Sequence, residues 1–307
     1  QSNTRDSDSE SLIVLYKSIT NITSTFPGFV GKGSEDLLKN PLKEIISLIT
    51  DLDRVGSFAQ TMNSFNITYY SLRSLWSKDM WRVFEGIKKL WDKFKKDHDF
   101  SIAELTKLLD RIITRLIAFM GLIEESILVN QGLLLYFIGL QTEQAMMHVE
   151  KCRALLVINY EEQVQYEILE SLLSSSESLN IYRYSYRSYL SLENVIKLIL
   201  LDTNYAKSLS YQIKRIEKDV SRLPYSEGIN TIAECQEKIQ KAQSKINHLS
   251  IDELILLNDN EAIRENLDEA LAQISDYLHS MSMAISDTYF NHSYKQKQLT
   301  NQNFPLV

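Results

Sequence analysis

The chain offers very few places to stop a helix. Its 307 residues include only 9 glycines and 4 prolines, while apolar side chains recur at three- and four-residue spacing along nearly its whole length. A many-stranded sheet needs frequent tight turns, and those turns rest on glycine, proline and a few polar residues. Too few are present. The pattern predicts an all-α fold, a single-domain multi-helix bundle with two long central helices.

The first long segment opens at Ser101, which forms a capping-box pattern with Glu104. It carries Leu105, Leu108, Leu109, Ile112, Ile113, Leu116 and Ile117 on one face and continues to about Val129. Gly132 marks a turn or kink, and the second segment runs from Leu133 to Val157. At about 1.5 Å per residue each is roughly 40 Å long. Between Ile117 and Ile138 both are apolar on nearly every side, which predicts the buried centre of the bundle. Leu116, Phe119, Leu122, Leu134 and Ile138 are the expected core residues.

Around this pair the pattern places further helices. They run from Ser11 to Thr23, from Pro41 onward, from Gly56 to about Trp76, and over Lys78 to Lys96 behind a Ser77 cap. The chain then gives Tyr160 to Leu173, Ser191 to Leu201, Tyr205 to Leu223 ended by Pro224, and Glu227 to Leu249. A short helix capped by Ser250 with Glu253 precedes a last one from Glu261 to Phe290. Residues 1–10 read as a polar, frayed segment, 11–292 as one helical domain and 293–307 as a polar tail. No internal repeat or composition shift divides the domain.

Charge and cysteine usage narrow the class. A net charge of −7 argues against nucleic acid and anionic membrane as partners. No stretch of about 18 uncharged apolar residues is present to span a bilayer, and the polar opening is no signal peptide. Cys152 and Cys235 show neither metal spacing nor a disulfide framework. These features predict a soluble, cytoplasmic protein with no cofactor and no metal, in which Asn21, Asn66 and Asn291 are chance glycosylation matches. The chain begins at Gln1 rather than methionine, as a fragment of a longer chain would.

Five local patterns could carry chemistry. Gly28-x-x-Gly31-Lys32-Gly33-Ser34 superficially resembles a phosphate loop, but its spacing is wrong and a helix precedes it, so a structural turn is expected. His148 and Cys152 stand four apart, as a nucleophile–base pair could, yet Met146 and Met147 make the surroundings core-like. Asp276-x-x-His279 is the nearest approach to a Glu-x-x-His metal motif. Lysines 88, 89, 93, 95 and 96 interleave with Trp91 and Phe94, but the aromatics fall on the apolar stripe, which predicts a solvated basic face. Tyr182, Arg183, Tyr184, Tyr186, Arg187 and Tyr189 form the densest aromatic–basic cluster. It is readable as packing with cation–π support or as a ligand-facing surface.

Taken together, several segments resemble the alpha-E family, bacterial all-helical domains named for a Glu-Arg motif. Thr25-Phe26-Pro27-Gly28-Phe29-Val30-Gly31 resembles its early aromatic-Pro-Gly-Phe-Val-Gly loop. Arg73 with Ser77-Lys78-Asp79-Met80-Trp81-Arg82-Val83 resembles its R-x-x-x-S-x-D-x-W-R-V helix start. Leu200-Leu201-Asp202 and the block from Lys207 to Ile213, including Gln212, are similar to a further motif, with Lys207 in place of the usual arginine. Ile285-Ser286, Tyr289-Phe290 and His292 resemble the C-terminal end.

The departures are concentrated in the centre. The family's opening helix with its first Glu-Arg pair has no counterpart here. Glu125, Ser126, Gly132, Gly139, Glu143 and Ala145 are retained. The family's central arginines and aspartate are replaced by Val129, Leu134, Phe137, Leu140, Gln141 and Gln144, and its tryptophan by Leu133.

Expectations about function rest on the resemblance. It implies association with circularly permuted ATP-grasp ligases that form peptide or amide bonds. The leading expectation is a non-catalytic helical interaction or scaffold module for such a ligase. The alternative is an enzyme of peptide or amide metabolism with Glu125 and Glu143 as acid and base in a central cleft. Ligand-binding candidates are Arg73, Tyr182, Arg183, Tyr186, Arg187, Lys207 and Gln212.

Overall fold

The structure, a computed structural model, describes residues 2–96, 101–127, 130–187, 189–223 and 231–290. Among them it is built from helices, with a single isolated bridge between Ile158 and Ile263 in place of any sheet. No helix of the described residues is long and apolar enough to cross a membrane. The expected tail at 293–307, with Pro224, Val129, Asn291 and His292, lies outside the described residues.

The elements follow in order as α1 (Ser2–Thr23), α2 (Ser34–Lys39), α3 (Pro41–Thr50), α4 (Phe58–Ser71), α5 (Lys78–Phe94), α6 (Ile102–Ser126) and α7 (Gln131–Leu156). Then come α8 (Glu162–Ser175), α9 (Leu179–Tyr186), α10 (Leu192–Ile196), α11 (Leu209–Val220), α12 (Thr231–Asn247), α13 (Ile251–Leu254) and α14 (Glu265–Tyr289). A 3₁₀ turn at Arg73–Leu75 joins α4 to α5, and α10 runs on into a π turn at Lys197–Leu201. Helix α1 starts at Ser2, so it takes in residues 2–10 of the segment expected to be frayed.

Serine caps set many of the helix starts. Ser77 accepts the Met80 N–H, and Ser101 and Glu104 close a complete capping box. Ser191 accepts from Asn194 N. Ser208 accepts from Tyr211 N, and it moves the start of α11 to Leu209 from the expected Tyr205. Ser250 makes no side-chain cap bond, contrary to expectation. Asn130, not Gly132, opens α7: its carboxamide oxygen accepts the Leu133 N–H, leaving Gly132 inside the first turn.

The two long helices serve different cores. The largest core is formed by α1 and α7 through α14, with α12 packed along α14 and α7 against both α11 and α14. Leu156, Ile168, Leu172, Tyr182, Ile213, Ile274 and Leu278 are fully buried there. Helix α6 instead pairs with α5, over two smaller clusters shared with α3 and α4. On α5, Met80, Phe84, Ile87, Trp91 and Phe94 form one buried stripe. Helix α7 joins the halves. Its N-terminal residues Leu133, Tyr136 and Phe137 enter an aromatic cluster with Tyr69, Phe84 and Phe119, and Ile138 onward enters the main core.

This division corrects the expected centre. Phe119 and Ile138 are buried, but Leu116, Leu122 and Leu134 are half-buried, and Ile113 and Ile117 are exposed. Among the described residues α6 buries one side against α5 and its neighbours, so an all-round apolar sequence leaves the other face in water. The pattern reports how apolar a helix is, not how many helices surround it.

A hollow beneath the Phe26 loop

Three distant segments converge at the C-terminal end of α1. The loop after that helix turns on Pro27 and Gly28, whose φ is +42°. The N–H groups of Val30 and Gly31 both donate to the Pro27 carbonyl, at 3.1 and 2.7 Å. Phe29 is fully buried and stacks on Tyr16 with ring centres 5.2 Å apart. Its N–H donates to the buried Thr20 hydroxyl at 2.9 Å. From outside, the Arg54 guanidinium donates to the Thr25 carbonyl at 2.9 Å while paired with the buried Glu44 carboxylate. A loop tied at so many points keeps one shape, and it holds Phe26 61% and Val30 43% exposed.

Phe26, Asn21 and Ser24 form one wall of a hollow of about 350 Å³. The opposite wall is largely charged: Glu150 and Arg153 from α7 and Asp268 from α14, with Ala154 between them. Arg153 donates to Asp268 at 2.9 Å and lies 3.6 Å from Glu150, which accepts from the Ser275 hydroxyl at 3.3 Å. The arginine is shared between two carboxylates. Its hydrogen bond to Asp268 and then the nearby charges hold it firmly protonated. Such a saturated trio supplies fixed charge for recognition and offers no free base for proton transfer.

Gly28 makes this loop sensitive to a single methyl group. A Cβ there would sit 2.3 Å from the Thr20 hydroxyl oxygen that holds Phe29, in a backbone conformation that disfavours side chains. Gly28→Ala is expected to cost about 2 kcal/mol in chemical denaturation. Gly33 also has positive φ but nothing within 4 Å of its Cβ position. Gly33→Ala should therefore cost clearly less.

The other candidates have structural employment. Tyr182 is buried, and its hydroxyl donates to the Tyr189 carbonyl and accepts from Ser191 N–H, both at 3.1 Å. Tyr186 packs 5.0 Å from Tyr182, and burial first and Asp202 second push its hydroxyl pKa upward. Arg183 reaches Glu170 at 3.8 Å, and Arg187 ends α9 in a left-handed conformation. Lys207 donates to the Ser176 carbonyl and pairs with Glu177, and Gln212 donates to the Lys207 carbonyl. Together they fasten the α8–α9 turn to the start of α11. Arg73 stands apart, exposed in the turn between α4 and α5.

Glu125 and Glu143 are both exposed, so neither occupies the cleft expected of them. At Gln141, where the resemblance places an arginine, the amide instead donates to the buried Asp219 carboxylate at 3.1 Å.

His148 and Cys152 do not form a dyad. The His148 Nε2 donates to the Ile199 carbonyl in the π turn at 2.9 Å, and burial pushes its pKa down to about 4. Burial drives the Cys152 thiol up to about 12, which suppresses the thiolate a nucleophile requires. Trp91 and Phe94 are buried, leaving the neighbouring lysines outside, and Asp276 and His279 are exposed. Among the described residues no cluster of three or more His, Cys, Asp or Glu is arranged to hold a metal ion.

Sequence reasoning missed Arg153, Asp268, Asp219 and Arg264. Their partners lie up to 115 positions away, and no local motif marks them.

A family model described as a predicted alpha-helical domain with a conserved ER motif matches residues 4–290. An uncharacterised protein of Mycobacterium tuberculosis (strain H37Rv) is 25% identical over 289 residues, covering 92% of this chain and 32% of that protein. An uncharacterised protein of Mycobacterium bovis matches to the same extent. The chain thus spans about a third of the length of these curated relatives. No solved structure matches it significantly. With its match running from the first helix to the last, the chain belongs to the Alpha-E family.

Proposed function

We propose that this domain is a non-catalytic docking module, and that its partner is an ATP-grasp-type ligase forming peptide or amide bonds. One observation carries the docking half of the reading. The loop at 24–33 is tied to α1 through Phe29 and held by Arg54 at the Thr25 carbonyl, yet it leaves Phe26 and Val30 exposed, with Phe26 over a charged hollow. An exposed aromatic on a rigid support is what an interface hot spot requires, because little conformational entropy is lost on binding. The curated relatives carry the same domain within chains about three times as long, which supports a part that works beside other parts. The ligase itself is what the family resemblance implies.

The acid–base alternative loses its support. A carboxylate acting as general acid needs burial or a charged neighbour to bring its pKa into the working range. Glu125 and Glu143 stand on exposed helix positions instead.

Calorimetry of the purified chain with ATP and Mg²⁺ tests the non-catalytic part. No heat of binding is expected, and a micromolar dissociation constant would overturn the reading.

A further inference from the structure

A second opening, of about 640 Å³, lies between α11 and α12 on a surface the docking reading does not use. Its α11 wall is Tyr211, Lys214, Arg215 and Lys218, and its α12 wall includes Gln236 and Gln240. The α11 residues are spaced i, i+3, i+4 and i+7, so they form one continuous helix face. The two glutamines, four apart, face them as a second row.

Basic side chains gather along one wall of this opening. Some basic side chains elsewhere have acidic partners, among them Arg153 with Asp268, Arg183 with Glu170, Lys207 with Glu177, Arg222 with Asp219 and Lys241 with Glu237. Among the described residues Lys214, Arg215 and Lys218 make no ion pair, and all three are exposed. Lys214 and Lys218 are one turn apart, an arrangement that mildly destabilises a helix. Glu217 also lines the opening, so its local charge is about two positive in a chain of net charge −7.

We propose that this groove binds a short acidic peptide segment. The α11 wall is about 10 Å long at the helical rise, enough for three or four extended residues at about 3.3 Å each. The arginine can grip a carboxylate with two parallel hydrogen bonds, and the lysines supply mobile point charges. The Gln236 and Gln240 amides can both donate and accept, which matches the peptide backbone between the acidic side chains. A phosphate ligand is less well served, since the groove contains neither a glycine-rich loop nor a helix N-terminus.

The test is fluorescence polarisation with a labelled hexapeptide of alternating aspartate and glutamate, on the full chain in 50 mM salt. Micromolar binding is expected. It should weaken at least tenfold in Lys214→Gln/Lys218→Gln and stay unchanged in Lys88→Gln, whose lysine lies against Tyr70 on α4. Circular dichroism establishes that each variant is folded, and Arg215→Gln serves if the double variant is not. Equal binding by the groove variants and Lys88→Gln would overturn the proposal. So would no binding at all, or displacement of the peptide by inorganic tripolyphosphate at lower concentration than by unlabelled peptide. None of these outcomes depends on ATP or on the Phe26 loop.

Discussion

Arg264→Met is expected to destabilise the domain by about 3–5 kcal/mol, because it strands three hydrogen-bond acceptors at one helix end. The Arg264 side chain is only 4% exposed. Its guanidinium donates to the Leu156 carbonyl at 3.0 Å, the Ile158 carbonyl at 2.9 Å and the Asn159 side-chain oxygen at 2.8 Å. The last carbonyls of α7 have no partner within the helix, and the negative end of the helix dipole favours a cation there. Burial lowers the pKa of this arginine, whose stabilising partners are these neutral oxygens. The backbone completes the staple, with Arg264 N–H donating to Val157 and Asn159 N–H to Ala262. Methionine keeps the apolar stem but no donor. Arg264→Lys should recover part of the loss, since one ammonium cannot span three acceptors. Equilibrium urea unfolding measures both, and a loss under about 1 kcal/mol for Arg264→Met would show that the carbonyls find other partners.

Acidification is expected to weaken the fold through His148. An unfolded histidine titrates near its ordinary value of 6.5, while burial holds folded His148 at about 4, with Lys151 adding to the shift. Between these values the unfolded chain takes up a proton that the folded chain refuses. The stability is therefore present above about pH 6.5 and is lost progressively as pH falls toward 4, to a total of about 3 kcal/mol. Protonation also forces a charge into the core against Lys151. The bond from Nε2 to the Ile199 carbonyl does not change sign on protonation, because that nitrogen donates in both forms. Denaturation at pH 7 and pH 5 should differ by about 2 kcal/mol more in the native chain than in His148→Gln. Equal pH slopes would place the sensitivity elsewhere.

Legibility in the sequence tracks the range of the interactions. Ser77, Ser101 with Glu104, and Ser191 cap helices through contacts three residues away, so each could be read from a short window. The α5 stripe was equally local. Helix α6 was not, because Ile113 and Ile117 look the same in sequence whether or not another helix covers them. The π turn at Lys197–Leu201 lies within an apolar run whose few residues cannot distinguish one helical period from another. At the candidate site, Phe26 stood in a recognisable motif, but the charged wall facing it comes from α7 and α14, over 120 residues further on. The family pattern pointed to Glu125 and Glu143 without reporting their exposure.

We propose the Phe26 loop as the docking surface for a ligase-type partner. Affinity capture from native lysate, with the chain and its Phe26→Ser/Val30→Ser variant compared by quantitative mass spectrometry, tests it most directly. Both side chains point outward, so the variant should unfold at the same denaturant concentration as the native chain. The native chain is expected to recover an ATP-grasp or other amide-forming protein, and the variant at least tenfold less. Recovery of no such protein, or equal recovery by both, would contradict the claim.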